Sequence, residues 1–512
     1  MFSKKTTGIV LLVVLIFSSC TGKNSEKPVP TVEQTTSAKE NTISESGKEA
    51  FHEFQSEVNQ KRKELCSTSP LDDRITEFMP SYKSELNALS EEELENLTDK
   101  NPGQSVILAD NAAQDTEYLF KLFKNAYGAY YYFGGDEKFN QAKDSLLKEI
   151  KQKSTLTRME YTAMLLNHLT FIKDGHMSID GQPVLKKSQY YYDNQVNFHK
   201  DRMGYYVTEN GQNWYITSVG EDKNISGYLK PTISEEGKIV YEIILQMSNE
   251  EYAKRPLHYT LRFDETEQVK EIQWMRSVRY PNSDDKIYTK AIINGVPVLS
   301  VRSMGAEYDK ELKEFENSGV TEKEKPILIL DLRGNGGGSD IYSNNWFKNY
   351  FGIKPPVKNT EGQKYSPLVL KSAEKMGYPI EDAYCIEEGK KGNWVRNENN
   401  GSSELLKNNS CVFVLMDQYV ASSGETFIWN MRTAENVILV GSNTSGACLV
   451  PNNVFYYLPN SGVSVYFGRG MIFHESYENI DGRGIQPDLW VEPWNALELV
   501  SKLIDQYKLK TN

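Results

Sequence analysis

An α/β fold is predicted by three observations. Three short, fully apolar runs stand apart along the second half of the chain: Ile327-Leu328-Ile329-Leu330, Val412-Phe413-Val414-Leu415 and Val437-Ile438-Leu439-Val440. Such runs, separated by helical stretches, are the mark of parallel strands buried on both faces. Ahead of them, apolar residues recur at helical spacing between about 119 and 172, and roughly residues 190 to 285 alternate short β-rich runs with turn signals. The chain has 512 residues, too many for one compact core, so two or three domains are expected. A net charge of -12 argues against a nucleic-acid partner, which needs a basic face.

Taken in order, Lys4 and Lys5 precede an apolar run from Ile9 to Phe17, and small residues follow it up to Cys20. This is the pattern of a secretion signal, too short to span a bilayer comfortably. Phe17-Ser18-Ser19-Cys20 resembles a bacterial lipobox, which implies cleavage before Cys20, lipidation of its thiol and anchoring to a membrane of the bacterial cell envelope, outside the cytoplasm. Thr21 is not the aspartate that suggests inner-membrane retention. Residues 21–48 are rich in Ser, Thr, Glu and Lys and read as a disordered tether. Cys66, Cys385, Cys411 and Cys448 show no metal-site spacing, and free thiols are the simpler reading.

Residues 49–185 read as a helical region. Leu119, Leu122, Phe123, Ala126, Tyr127 and Tyr130 mark one helix face, and Leu146, Leu147 and Ile150 a second. A third helix opens at the capping-box sequence Thr157-Arg158-Met159-Glu160 and is expected to stop near Asp174-Gly175, glycine favouring the left-handed residue that ends helices. His168 then falls on its apolar face as a packed core residue, while His176 lies just beyond the helix end in a loop. Residues 186–288 read as a small β domain, and residues 289–512 as the α/β core.

Sites in open α/β sheets form beyond the carboxyl ends of the strands, and two motifs fall there. Asp331-Leu332-Arg333-Gly334-Asn335-Gly336-Gly337-Gly338 follows the first apolar strand. So many glycines imply unusual dihedrals or close approach to a ligand. Backbone N–H groups in such a turn can converge on an anion, either a phosphate or the oxyanion of acyl transfer. The Gly-Lys-Ser/Thr ending of a phosphate loop is missing. Ala421-Ser422-Ser423-Gly424-Glu425 follows the second strand and leads into an apolar helix. Its last four residues form a capping box that needs no function, yet a serine there also sits where a helix dipole stabilises negative charge.

Together with Gly484-Ile485-Gln486-Pro487-Asp488, these motifs resemble the three signatures of the C-terminal-processing (tail-specific) and tricorn-type serine peptidases. The resemblance covers about residues 290 to 495, and the region ending at Asp174-Gly175-His176 more loosely. It implies a ClpP/crotonase-like βαβ core and hydrolysis of peptide bonds in a peptide or protein substrate, with no metal or organic cofactor. It carries the nucleophile onto Ser422, with Ser423 as the fallback. The tail-specific branch has a lysine base twenty-five residues beyond the serine. Ala447 stands there, and no lysine occurs between Lys407 and Lys502.

The tricorn-like branch draws a histidine from the end of the N-terminal helical region instead, which carries over to His176. A neutral imidazole can take a serine proton near neutral pH. Gly175 replaces the serine that precedes that histidine in the branch, which puts a fourth relay member in doubt. The acid carries over to Asp481, with Glu478 next, to orient the imidazole. His474 is the competing base; His52, His199 and His258 have no motif around them. The oxyanion would be held by N–H groups at Gly336 or Gly337 and at Ser423. The β region stands where tail-specific relatives carry a PDZ module, but Ser226-Gly227-Tyr228-Leu229 lacks the usual Gly-Asp turn, so a degenerate PDZ-like domain is expected. The rival reading is a catalytically inactive relative that binds peptides or hydrophobic ligands.

Overall fold

The computed structural model describes residues 37–67, 75–80, 89–100, 102–277, 286–402, 404–474 and 479–510. Cys20, the expected signal segment and Glu478 lie outside them. Residues up to Glu45 form one unit, whose described part is helical, and Ser46–Asn512 form another. Helix α1 spans Ser37–Ser67, so the end of the stretch read as a tether is helical. Its later turns carry Phe51, Phe54 and Val58, which bury one face at helical spacing. No described helix is long and apolar enough to cross a membrane.

After two short helices, Ile75–Phe78 and Glu91–Thr98, come three longer ones: α2 (Ala109–Ala126), α3 (Gly135–Ile150) and α4 (Arg158–His168). The expected capping box opens α4: Thr157 Oγ1 accepts the Glu160 N–H at 3.2 Å, and Glu160 accepts the Thr157 N–H at 2.7 Å. The helix ends at His168, well before Asp174-Gly175. Gly175 does not supply a left-handed cap. Its missing side chain serves close packing instead, because a Cβ there would lie 2.0 Å from the Gly446 carbonyl oxygen. His168 is not a core residue either. Ending the helix there turns its ring to Glu149, 2.8 Å from Nε2.

The β region contributes β1 (Gln189–Lys200), β2 (Tyr205–Glu209), β3 (Gln212–Val219), β4 (Leu229–Ile233), β5 (Ile239–Met247), β6 (His258–Phe263) and β7 (Thr266–Glu271). The core follows with β8 (Tyr288–Ile293), β9 (Val296–Val301), α5 (Asp309–Glu322), β10 (Ile327–Asp331), α6 (Asp340–Phe351) and β11 (Asn359–Lys364). It ends with β12 (Cys411–Met416), α7 (Ser423–Met431), β13 (Val437–Gly441), β14 (Gly470–His474), β15 (Leu489–Trp490) and α8 (Ala496–Gln506). The expected small β domain is continuous with the core. One 14-stranded sheet runs β7-β6-β3-β2-β1-β5-β4-β15-β13-β12-β10-β9-β8, with the short strand Met275–Arg276 paired to β1 as the fourteenth, and is joined where Trp490 of β15 pairs with Thr232 of β4.

From β9 through β15 the neighbours are parallel. Alternation along β10 sends Leu328 and Leu330 to one face and Ile327 and Ile329 to the other. The first face packs on Phe315, Trp346 and Phe427 from α5, α6 and α7, and the second on Phe51, Leu499 and Leu503 from α1 and α8. This three-layer arrangement leaves the strand ends free for the site loops. Asp488 fastens the outer layer: its carboxylate takes the Arg62 guanidinium of α1 and the Leu439 N–H, the latter at 2.7 Å.

Beneath the glycine loop, Asp331 is buried between Arg302 and Arg333, 2.8 and 2.7 Å from their Nη2 atoms. Burial alone would raise its pKa, but the two guanidiniums outweigh it and hold the carboxyl at about 2. Since the folded value lies below the unfolded one, this stabilisation is present above about pH 4 and lost as pH falls toward 2. Asp331→Ala strands two buried guanidiniums and is expected to cost about 3–5 kcal/mol in urea unfolding at pH 7. A loss under about 1 kcal/mol would show that the cluster is not a fastening point.

Candidate active site

Ser422 follows β12 and immediately precedes α7. The helix-capping serines and threonine elsewhere in the chain have extended backbones, with φ and ψ of -63° and 161° at Ser90, -72° and 155° at Thr157 and -74° and 169° at Ser248. Ser422 departs from them, with φ 52° and ψ -122°. A non-glycine residue held there costs on the order of 1–3 kcal/mol, which helix capping does not require. The strain presents a half-buried serine at a sharp strand-to-helix turn.

The glycine loop explains how the turn fits. A Cβ on Gly337 would lie 2.6 Å from the Ala421 carbonyl oxygen and 2.9 Å from Ser422 Cβ, so only glycine lets the two loops touch. Ser423 Oγ donates to the Gly338 carbonyl at 2.8 Å, and the Ala421 N–H to the Asn335 carbonyl at 3.0 Å. The oxyanion assignment needs one correction. The Gly337 N–H points to its own loop and donates to Asn335 Oδ1 at 2.9 Å. Gly336, at the exposed tip, and Ser423, the first residue of α7 with an orphan helical N–H, remain as donors.

Glu425 closes the capping box that the sequence predicts and is also a hub that the sequence does not signal. It is fully buried and accepts the Ser422 N–H at 3.2 Å, the Gly446 N–H at 2.7 Å, the Ala447 N–H at 2.8 Å and the Thr444 hydroxyl. Burial pushes its carboxyl up to about 7, against the pull of those donors. The Gly446–Ala447 backbone it grips lies directly against Gly175. A short path therefore runs from Ser422 through Glu425 and Gly446 to Gly175 and His176.

At the far end of that path, Asp481 is buried and its Oδ2 accepts the Gly175 N–H at 2.9 Å, while Oδ1 accepts those of Cys448 and Leu449 at 2.9 and 3.0 Å. Asp174 accepts the His176 N–H at 2.8 Å and the Tyr127 hydroxyl at 3.0 Å. Burial raises both pKa values, helped at Asp174 by the Asp481 charge and opposed at Asp481 by its three backbone donors and Lys187. Both ring nitrogens of His176 are sealed from solvent without a well-formed hydrogen bond, the Val450 carbonyl bearing on the ring at less than hydrogen-bond geometry. Burial, then the Lys187 ammonium, lowers its pKa to about 4, and the Val450 carbonyl opposes the shift. The structure thus gathers Ser422, His176 and Asp481 on adjoining loops. Asp481 holds the backbone that carries His176 rather than its ring, and no hydrogen bond yet joins serine and imidazole.

His474 stands apart. It is buried, pairs across the sheet with Asn359 and stacks on Trp429 at 3.9 Å. Lys187, which also contacts the Ser445 hydroxyl, is a site residue that no spacing signalled. Cys385, Cys411 and Cys448 are free thiols.

Parallel strands, a strained serine at the start of a helix and an adjoining glycine loop make up the site of a serine-type peptidase. Residues 295–491 match the family model of peptidase family S41, and the domain they build is an S41 peptidase domain. Among solved structures the chain is similar to mature CPAF complexed with lactacystin, at 12% identity and TM-score 0.41, covering 78% of this chain and 99% of that one. It is also similar to a putative peptidase from Parabacteroides merdae, at 16% identity and TM-score 0.36, covering 74% and 90%. The tricorn protease matches at 12% identity and TM-score 0.35, covering 79% of this chain and 37% of that one. No curated protein matches.

Glu425 and Asp174 have folded pKa values above their unfolded ones, so the folded state holds their protons longer and stability falls as pH rises. His176 works in the opposite direction, but only between about pH 4 and its unfolded value near 6.5. Thermal unfolding is therefore expected to show a lower Tm at pH 8 than at pH 6.5, with a smaller drop in Glu425→Gln. A wild-type Tm that rises over this interval would contradict the buried-acid account.

Proposed function

We propose that this peptidase is a lipid-anchored, extracytoplasmic enzyme of the histidine-using, tricorn-like branch. Ser422 Oγ attacks the peptide carbonyl carbon while His176 takes the hydroxyl proton. The N–H groups of Gly336 and Ser423 hold the negative oxygen of the tetrahedral intermediate. The intermediate collapses by breaking the C–N bond, and His176 returns the proton to the leaving amine. Water, deprotonated by the same imidazole, then attacks the acyl carbon, and as the bond from that carbon to Ser422 Oγ breaks, the imidazolium returns the proton to Oγ and the acid product leaves. Asp481 acts through the Gly175 N–H as a positioning residue, and its charge balances the imidazolium as it forms.

The observation that carries this reading is the strained Ser422 backbone seated against Gly337 and tied, through Glu425 and the Gly446–Ala447 backbone, to the segment that bears His176. A neutral histidine is competent to accept the serine proton, and its low pKa keeps it so into the acidic range. Cys20, as the lipidated residue at the end of an apolar leader, supports the envelope location.

Ser422→Ala is expected to lower kcat by on the order of 10³–10⁶ on any cleaved peptide. Retained hydrolysis would remove Ser422 as the nucleophile. The base is active when unprotonated, so kcat/KM should fall as pH drops through about 4 rather than through 6.5. An acid limb centred near 6.5 in a protein still folded at that pH would contradict the buried imidazole. Cys20→Ser should abolish incorporation of a radiolabelled fatty acid into the expressed chain. Undiminished incorporation would refute anchoring there.

A further inference from the structure

A cleft of about 630 Å³ opens beside α7, between the first turns of α6 and the strands β11 and β14. Thr426 lines it, and its N–H and hydroxyl both donate to the Ser422 carbonyl, at 2.9 and 3.4 Å, so the cleft wall adjoins the serine's backbone. Asp340, the first residue of α6, enters the wall two residues after Gly338. Its carboxyl is drawn toward the hydroxyls of Ser423 and Thr426, yet Oδ1 is buried with no hydrogen-bond partner. His474 lines the same cleft at 9% exposure, and neither of its ring nitrogens has a partner. Asp340 Oδ1 and the His474 ring thus offer sealed, unused acceptors to one cavity whose wall adjoins the serine, and an unsatisfied buried acceptor is costly until a donor arrives.

The charges around the cleft fix the kind of donor. Glu361 and Glu398 lie on the strands facing α6. The Glu361 charge adds to that of Asp340, whose pKa is raised first by burial and then by this neighbour. The lysines lie elsewhere: Lys348 is in the last turn of α6, about 12 Å along the axis from Asp340, and Lys354 is beyond the helix end. The end nearest Ser422 is therefore acidic and the remote end basic. His474 is kept neutral by burial, then by Arg432, at about 3, so it presents an imidazole acceptor without adding positive charge.

We propose that this cleft is the specificity subsite of the peptidase and takes a lysine or arginine side chain flanking the scissile bond, with Asp340 as its counter-ion and His474 and Asn430 as further polar partners. The inference rests on Ser422 being the nucleophile and adds a substrate class to that reading. The basic side chain supplies N–H donors to Asp340 Oδ1 and His474 and offsets the Asp340–Glu361 repulsion. It also accounts for a buried histidine that the hydrolytic steps do not use.

The test uses acetylated hexapeptide amides identical except for Arg, Lys, Gln or Leu at one position, moved in turn along the peptide. With the full mature chain, kcat/KM for Arg or Lys at one register should exceed that for Gln by about 10², the scale of a buried charged contact. In Asp340→Asn that ratio should fall to near one. In Glu361→Gln it should fall by a smaller factor, with the fold and Tm retained. The same peptides are titrated calorimetrically against Ser422→Ala, which binds without turnover. There, tighter binding of the Arg than the Gln peptide, abolished by adding Asp340→Asn, supports the subsite even if no cleavage is found. Equal binding of the two peptides, or a preference that survives Asp340→Asn, overturns it. Failure of cleavage with intact discrimination counts against the nucleophile and not against the subsite.

Discussion

The site depends on one buried carboxylate. Glu425 occupies the third turn position after Ser422, but it reaches across the sheet ends to the backbone of residues 446 and 447 as well as back to Ser422. Taking a carboxyl group out of water costs several kcal/mol unless hydrogen bonds replace its hydration. Here three backbone N–H groups and the Thr444 hydroxyl do so. The arrangement fixes the start of α7 relative to the Thr444–Ala447 loop, and that loop is what Gly175 packs against. Without this tie the serine and the histidine would belong to separate segments with no common reference.

A second feature is the low charge of a site rich in ionisable groups. Asp174, Asp481 and Glu425 are all buried with raised pKa values, and His176 and His474 are buried with lowered ones. In each case desolvation is the leading cause, so the neutral forms are favoured on both sides of the reaction path. Lys187 is the cation that bears on His176 and Asp481. An imidazole in such surroundings would hold a proton only transiently, as the proposed general base requires.

The sequence announced the parts of the core that have strong local signals. Apolar runs such as Val412-Phe413-Val414-Leu415 read as buried parallel strands and are such strands. The Asp331–Gly338 and Ser422–Glu425 motifs marked the two loops that meet in the structure. Other features depend on partners distant in sequence, which no local pattern encodes. The helix ending at His168 was extrapolated to Gly175 because glycine has two uses, and here close packing on Gly446 took precedence over capping. His168 was placed in the core by its spacing, but a helix that stops there turns the ring to Glu149. The β region looked like a separate domain because nothing in residues 229–233 signals that Thr232 will pair with Trp490. The reach of Glu425, the engagement of the Gly337 N–H and the approach of Lys187 were equally hidden, since each is set by the tertiary fold.

The central claim, that a strained serine and a buried neutral histidine work as one catalytic unit, is tested most directly by reaction with a serine-directed fluorophosphonate followed by peptide mapping. The account predicts a single adduct on Ser422 in the wild-type chain and its near disappearance in His176→Ala. An adduct on Ser423, or labelling of Ser422 that is indifferent to the loss of His176, would contradict it.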